Sequence, residues 1–154
     1  MLEKLKAKLT VRNLLLLISL ITGIVGFIIY MITATTGYFV NKSPNAIVLV
    51  FSILFILAAI AFIAFDEKIG KFDTIVFFFL ACCIILSFIF FILDKEEVVA
   101  EMMNPVNHPQ KQIDAATNTI VGVVFYGVSF IFLAASSFFD SKKVSKPAEV
   151  IEEA

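Results

Sequence analysis

The chain has 154 residues, of which 60% are hydrophobic and only 16% are charged, and its formal net charge is −1. A soluble domain of this size leaves too much of its surface in water to hide so much apolar area, so an ordinary soluble fold is excluded. The near-zero net charge, with no basic patch interleaved with aromatic residues, also excludes a nucleic-acid-binding protein. We therefore expect the lipid bilayer to be the solvent for most of the chain.

Four long apolar segments follow one another along the chain, at residues 14–35, 46–65, 74–93 and 118–139. At about 1.5 Å per residue, each is long enough as a helix to cross a hydrocarbon core about 30 Å thick. No Asp, Glu, Lys, Arg or His lies inside them, as lipid exposure requires, because a charge at the bilayer centre costs at least roughly 2.5–3.5 kcal/mol. The sequence predicts an all-α, four-helix transmembrane bundle, left-handed and antiparallel between neighbouring helices.

The basic residues divide unevenly between the two sides of this bundle. Nine of them lie before the first span, between the second and third spans or after the fourth, and three lie in the other two loops. The positive-inside rule therefore predicts that both termini are cytoplasmic. We expect a basic amino terminus (1–13), a four-span domain (14–139) with an extracytoplasmic loop (94–117), and a cytoplasmic tail (140–154). The long apolar stretch of the first span predicts a retained anchor and not a cleaved signal peptide.

Residues at the segment boundaries predict where the helices begin. Ser43 or Asn45 is suited to cap the second helix, because a short polar side chain there accepts a bond from a free backbone N–H group. Asp73 is predicted to cap the third helix, where its charge also suits the helix dipole.

Small and polar residues recur every seven positions in the first, second and fourth spans. Such a repeat keeps one seam facing a partner helix, and small residues let two backbones approach closely in lipid. We expect these three helices to form the tight part of the bundle, with the Phe-rich third helix more exposed to lipid. The seams could instead serve another subunit. The predicted packing residues are Ser19, Gly23, Gly26, Ala59, Gly122, Ser129 and Ser136.

Two groups of residues suggest metal or redox chemistry, and simpler interpretations account for both. Cys82 and Cys83 are adjacent inside an apolar run, where neighbouring helical residues cannot readily bridge, so we expect buried structural thiols. Met102, Met103 and His108 offer soft ligands of the kind that suit copper(I), but a single His and this Met spacing match no strong motif. We expect no metal and no cofactor.

Uncharged polar residues collect where the spans end on the extracytoplasmic side. Tyr38, Asn107, His108 and Asn118 could line a shallow outward-facing pocket. Helix capping and contact with lipid headgroups explain the same residues. The lack of acids and bases within the predicted spans argues against a proton-driven carrier and against acid–base catalysis in the bilayer, so we expect no catalytic residues.

Three short segments carry a resemblance to a known group of proteins. They are Thr35-Thr36-Gly37-Tyr38, Pro105-Val106-Asn107-His108-Pro109 and Val121-Gly122-Val123-Val124-Phe125-Tyr126. Together they resemble segments of small four-helix membrane proteins of Gram-positive bacteria. The resemblance implies a bacterial plasma membrane, and it implies no particular activity.

The sequence leads us to expect a non-catalytic accessory or scaffold subunit that packs against itself or a larger membrane protein. The alternative is a small oligomeric channel or facilitator for a neutral or weakly charged solute. A channel would need a polar stripe through the full membrane depth, and the fourth span comes closest, through Asn118, Gly122, Ser129 and Ser136. A membrane enzyme or redox protein ranks third.

Overall fold

Four helices make up most of the computed structural model, which describes residues 11–39, 43–69, 72–104 and 107–139, with the backbone alone at 66–69. They are α1 (Val11–Thr35), α2 (Ala46–Ile69), α3 (Asp73–Met102) and α4 (Gln110–Ser137), and a 3-10 helix (Gly37–Phe39) follows α1. Each of the four contains a stretch long and apolar enough to cross a membrane. The predicted all-α bundle of four membrane-spanning helices is confirmed. The amino-terminal residues 1–10 and the tail 140–154 lie outside the described residues.

Helices α3 and α4 extend well beyond their predicted spans. The structure places helix over most of the predicted loop at 94–117, because α3 continues to Met102 and α4 already begins at Gln110. Lys95 and Val98 form a buried face on this extension, and Val98 packs with Phe39 and Ala115. Hydropathy places the end of a predicted span at the first charged residues. A helix can continue beyond that point, outside the bilayer, as long as one of its faces stays buried.

The two cap predictions have different outcomes. Asn45 caps α2, since its side-chain oxygen accepts a hydrogen bond from the backbone N–H of Ile47 at 2.9 Å. The prediction for Asp73 is wrong, because Phe72 is the N-cap residue of α3 and no side chain caps that end. Asp73 instead lies in the first turn, where a carboxylate oxygen accepts a 2.6 Å hydrogen bond from Arg12. The carboxylate thus pairs with a buried arginine and caps no backbone N–H group, although it lies in the first turn, where its charge suits the helix dipole as predicted.

Helices α1 and α4 form the most extensive contact of the bundle, and α3 packs against both α2 and α4. The expectation that α1, α2 and α4 form the tight part of the bundle is therefore wrong, because α3 contacts its neighbours more extensively than α2 does. The expectation that α3 is the helix more exposed to lipid is wrong for one of its faces. The buried face of α3 carries side chains larger than the predicted small packing residues, including Leu80, Ile84 and Phe91. On the opposite face of α3, Phe78 is 72% exposed. The seven residues predicted to pack helices are all buried between helices of this one chain.

Candidate functional site

Polar side chains form a series of buried layers between the helices, beginning at the α3 amino terminus. The first layer lies at what we call the Arg12 end of the bundle. Arg12 is 3% exposed, and its guanidinium carbon lies 5.2 Å from the centre of the Phe62 ring and 5.8 Å from that of Phe77. Its ion pair with Asp73 joins α1 to α3. A charge-assisted bond and two aromatic faces together lower the cost of burying this cation.

The second layer joins α1 to α4 through two serines. The hydroxyl of Ser19 donates to the backbone carbonyl of Ser129, and the hydroxyl of Ser129 donates to the carbonyl of Ser19, both at 2.7 Å. The exchange needs the two backbones to approach closely. Gly23 permits this approach, because a Cβ atom there would lie 3.0 Å from the Ser129 hydroxyl and 2.8 Å from Phe55. The two serines therefore satisfy each other within the chain.

The third layer joins α2, α3 and α4 near the middle of the bundle. The Ser52 hydroxyl donates to the Ser87 hydroxyl at 3.1 Å and lies 2.7 Å from the Tyr126 hydroxyl, which leaves Tyr126 as the donor to Ser52. All three side chains are essentially without exposure. The Phe91 ring meets Tyr126 edge to face at a centroid distance of 5.8 Å and meets Tyr30 in the same way at 5.0 Å. Aromatic packing thus separates this layer from the next one.

The fourth layer contains a buried lysine that the sequence interpretation assigned to a loop. Lys95 is 1% exposed, its ammonium nitrogen lies 2.7 Å from a carboxylate oxygen of Asp94, and the Phe39 ring centre lies 4.0 Å away. The Tyr30 hydroxyl lies 3.3 Å from the same Asp94 oxygen and accepts a 2.6 Å bond from the backbone N–H of Asn45. This layer, at what we call the Lys95 end, ties α3 to α1 and to the segments on both sides of the first loop.

A network of hydrogen bonds centred on Glu101 lies beyond Lys95 and contains two of the residues predicted for an outer pocket. The Glu101 carboxylate accepts bonds from the Gln112 amide and, at 3.2 Å, from the Tyr38 hydroxyl. His108 bonds along its own segment, with Nδ1 3.2 Å from the Gln112 amide oxygen and Nε2 3.0 Å from the Asn104 carbonyl.

The other two residues predicted for the pocket do not join this network by any described hydrogen bond. Asn107 is exposed in the connection before α4, and Asn118 is half-buried, about two turns further along that helix. Pro105 and Val106, which precede Asn107 in the chain, lie outside the described residues. The structure thus links Tyr38 and His108 through Glu101 and Gln112, and it leaves Asn107 and Asn118 apart.

A wholly apolar crevice opens on the outer surface between α2 and α3, near the Arg12 end. Its volume is about 370 Å³. We call it the α2–α3 crevice, and it is lined by Ala58, Ala61, Phe62, Ile75, Val76 and Phe79. Two alanines on α2 leave the space that larger side chains would fill. No motif in the sequence predicts this feature, because it depends on how two helices pack.

The residues that the sequence interpretation missed are the charged ones at both ends, above all Lys95, Asp94, Glu101 and Arg12. A signal was present: Lys95, Val98 and Met102 follow the three-to-four spacing of one helix face.

Cys83 is buried and Cys82 half-buried, both as free thiols. Among the described residues, no three His, Cys, Asp or Glu side chains are grouped to hold a metal ion. Comparison with protein-family models, curated proteins and solved structures finds no match for this chain.

Proposed function

We propose that the protein is a non-catalytic accessory or scaffold subunit that works by packing within a membrane. The observation that carries this proposal is that the polar groups in the middle of the bundle bond to one another. Ser19 pairs with Ser129, and Ser52 bonds with Ser87 and Tyr126. Hydroxyl groups satisfied in this way have little capacity left to bind a solute or to attack a substrate.

The outer surface supports the same proposal. Large aliphatic and aromatic side chains are exposed on every helix, for example Ile21 on α1, Leu57 on α2, Phe78 on α3 and Ile131 on α4. Such a surface meets lipid tails or the apolar face of another membrane protein equally well. Packing is therefore the interaction that this chemistry serves best.

The channel alternative receives less support from the geometry. Of the stripe proposed to line a pore, Gly122, Ser129 and Ser136 are buried against other helices of the same chain. A Cβ atom on Gly122 would already lie 2.6 Å from the Phe91 ring, so side chains occupy the space beside this stripe. A pore along it would require the helices to separate.

An enzyme ranks third. Unchanged cellular function after joint replacement of Cys82, Cys83 and His108 would eliminate the enzyme alternative.

We propose a bacterial plasma membrane as the location, with both termini and the Arg12 end in the cytoplasm. The resemblance to membrane proteins of Gram-positive bacteria supports the location, and the nine-to-three division of basic residues supports the orientation. Two exposed residues at opposite ends provide a test, since Met103 is 85% and Phe138 86% exposed. In a chain with both native cysteines replaced by alanine, Met103→Cys should react with a membrane-impermeant maleimide in intact cells. Phe138→Cys should react only after permeabilisation, and the reverse pattern would refute the orientation.

The accessory proposal is tested by gentle extraction of the tagged full-length protein, followed by mass and composition analysis of what accompanies it. We expect a second membrane protein in stoichiometric amount. Leu57→Ala and Ile131→Ala, on opposite outer faces, then locate the contact: one should lower recovery of the partner while both variants melt like the parent. A lone monomer or a pure homo-oligomer would contradict a partner protein and favour the channel, for which flux of small solutes into liposomes is the next measurement.

A further inference from the structure

His108 is the only histidine of the chain, and both of its ring nitrogens face oxygen atoms that can only accept hydrogen bonds. Nδ1 lies 3.2 Å from the side-chain amide oxygen of Gln112, and Nε2 lies 3.0 Å from the backbone carbonyl oxygen of Asn104. A neutral imidazole has one N–H group and one nitrogen that accepts, whereas the imidazolium cation has two N–H groups. The geometry fits the cation, because only the cation donates to both oxygens.

The orientation of the Gln112 amide is fixed from its other side by Glu101. Gln112 is 7% exposed, and its amide nitrogen donates to the Glu101 carboxylate, which also accepts a 3.2 Å bond from the Tyr38 hydroxyl. A flipped amide would place its oxygen against that carboxylate, where neither atom carries a proton. The flip would require the second proton of His108 to move to Glu101, and a carboxylate is a weaker base than an imidazole.

A neutral His108 therefore leaves one contact of this network without a proton, whichever way the ring and the Gln112 amide are arranged. If the ring donates to Gln112, its other nitrogen faces the Asn104 carbonyl as one acceptor against another. If the ring donates to Asn104, the amide must turn to serve Nδ1, and its oxygen then faces the Glu101 carboxylate. The contact with Asn104 is exposed and Gln112 is buried, so the bond to Asn104 is the one that costs less to lose.

The charge at this end of the bundle also favours a cation at position 108. The described titratable side chains on the surrounding elements are Tyr38 after α1, Asp94, Lys95, Glu96, Glu97 and Glu101 on α3, and Lys111 and Asp114 on α4. Five of these are acidic and two are basic, so a further positive charge is attracted to the region. Carboxylic acids, amines and phenols ordinarily change charge outside the range from about pH 5.5 to about pH 7.5, and an imidazole changes charge within it.

We propose that His108 is a pH-dependent latch on the connection between α3 and α4. When the ring is protonated, it ties the Asn104 carbonyl, just after the end of α3, to the Gln112 side chain on α4. When the pH rises and the ring loses its second proton, the bond to Asn104 is lost and the connection is held less tightly. This device goes beyond the accessory function, because it acts within the chain whether or not a partner protein is bound.

The latch is tested by thermal unfolding of the full-length protein in mild detergent at about pH 5.5 and at about pH 7.5. The parent should melt about 2–4 °C higher at the lower pH, the shift that one exposed hydrogen bond produces in a chain of this size. His108→Gln is neutral at both pH values and should lose this difference. Asp114→Asn is the matched control: it removes an exposed acid of α4 that pairs with Gln110, and it should keep the pH dependence of the parent.

Glu101→Gln tests the role of the carboxylate separately. An amide at position 101 can donate as well as accept, so the Gln112 amide is free to turn and serve a neutral ring. Every contact is then satisfied without the second proton. This variant should lose most of the pH dependence although His108 is still present. A histidine that responds only to the acidic surface around it would instead be affected alike by Glu101→Gln and Asp114→Asn.

Three results would overturn the proposal. Equal melting temperatures of the parent at the two pH values would exclude the latch, and this comparison does not depend on any variant folding. A pH dependence that persists in His108→Gln would assign the effect to another group. A pH dependence in Glu101→Gln as large as that in Asp114→Asn would exclude the network through Gln112 as its cause.

Discussion

Gly122 offers the sharpest test of the helix packing, because its surroundings leave no room for a methyl group. A Cβ atom built there lies 2.6 and 2.8 Å from two atoms of the Phe91 ring and 3.1 Å from Ile29. Phe91 is fully buried and cannot swing away freely. Overpacking of this kind costs about 1–3 kcal/mol, and the better helix propensity of alanine returns roughly 1 kcal/mol. Gly122→Ala should therefore be neutral to clearly destabilising, and Gly122→Leu should prevent correct folding.

Gly127→Ala is the matched control, five residues further along α4. A Cβ atom there meets only Phe88, at an ordinary 3.9 Å, so this variant gains helix propensity without a clash. The difference between the two alanine variants isolates the overpacking cost of about 1–3 kcal/mol, or roughly 2–12 °C in Tm for a chain of this size. Thermal unfolding in mild detergent, followed by circular dichroism, measures it. If Gly122→Ala melted as high as Gly127→Ala, the close approach of α1, α3 and α4 would be wrong.

Three further perturbations test the polar layers and the first turn. A double-mutant cycle of Ser19→Ala and Ser129→Ala should give a coupling energy of about 0.6 kcal/mol, with additive effects refuting the reciprocal pair. Gly37→Ala should lower stability by about 1–2 kcal/mol, because Gly37 has a φ of +65°, which an alanine adopts only with strain. No atom lies within 4 Å of the new methyl group, so the loss would come from the backbone alone, and an unchanged Tm would refute it. Lys95→Met should lower Tm more than the double variant Lys95→Met/Asp94→Asn, since only the single variant leaves a carboxylate without its cation. A lower Tm for the double variant than for Lys95→Met would contradict a stabilising role for the Lys95–Asp94 ion pair.

The span count and the small-residue seams could be predicted because each depends on a local pattern. A run of about 20 apolar residues specifies a membrane-crossing helix almost regardless of its neighbours. Small residues seven positions apart specify one face, and Ser19, Gly26, Ser129 and Ser136 are indeed all on buried faces. The pattern does not say which helix will meet that face. The tight contact between α1 and α4 contains the reciprocal serine bonds, a pairing between two distant segments that neither segment reveals alone.

The buried charges could not be predicted by the same reasoning. Hydropathy treats a lysine beyond an apolar run as the start of a loop, so it predicts that Lys95 lies in a solvated loop. Its burial depends on Phe39 lying 4.0 Å from the ammonium group and on an adjacent carboxylate, Asp94. Phe39 belongs to a different part of the chain, and its approach requires the turn at Gly37. Such a site is a property of the assembled end of the bundle and of no single segment.

The two buried cations also give the bundle a consistent membrane frame. Residues 73 to 95 of α3 cover about 33 Å at about 1.5 Å per residue, close to the roughly 30 Å of a hydrocarbon core. Arg12 with Asp73 and Lys95 with Asp94 therefore lie near opposite edges of the bilayer, where the cost of burying charge is smallest. The helix beyond Lys95 then extends past the hydrocarbon, which explains why it can carry Glu101 and bond to Tyr38. That end of the molecule is a structured cap on the bundle, and its polar groups meet whatever approaches from that side.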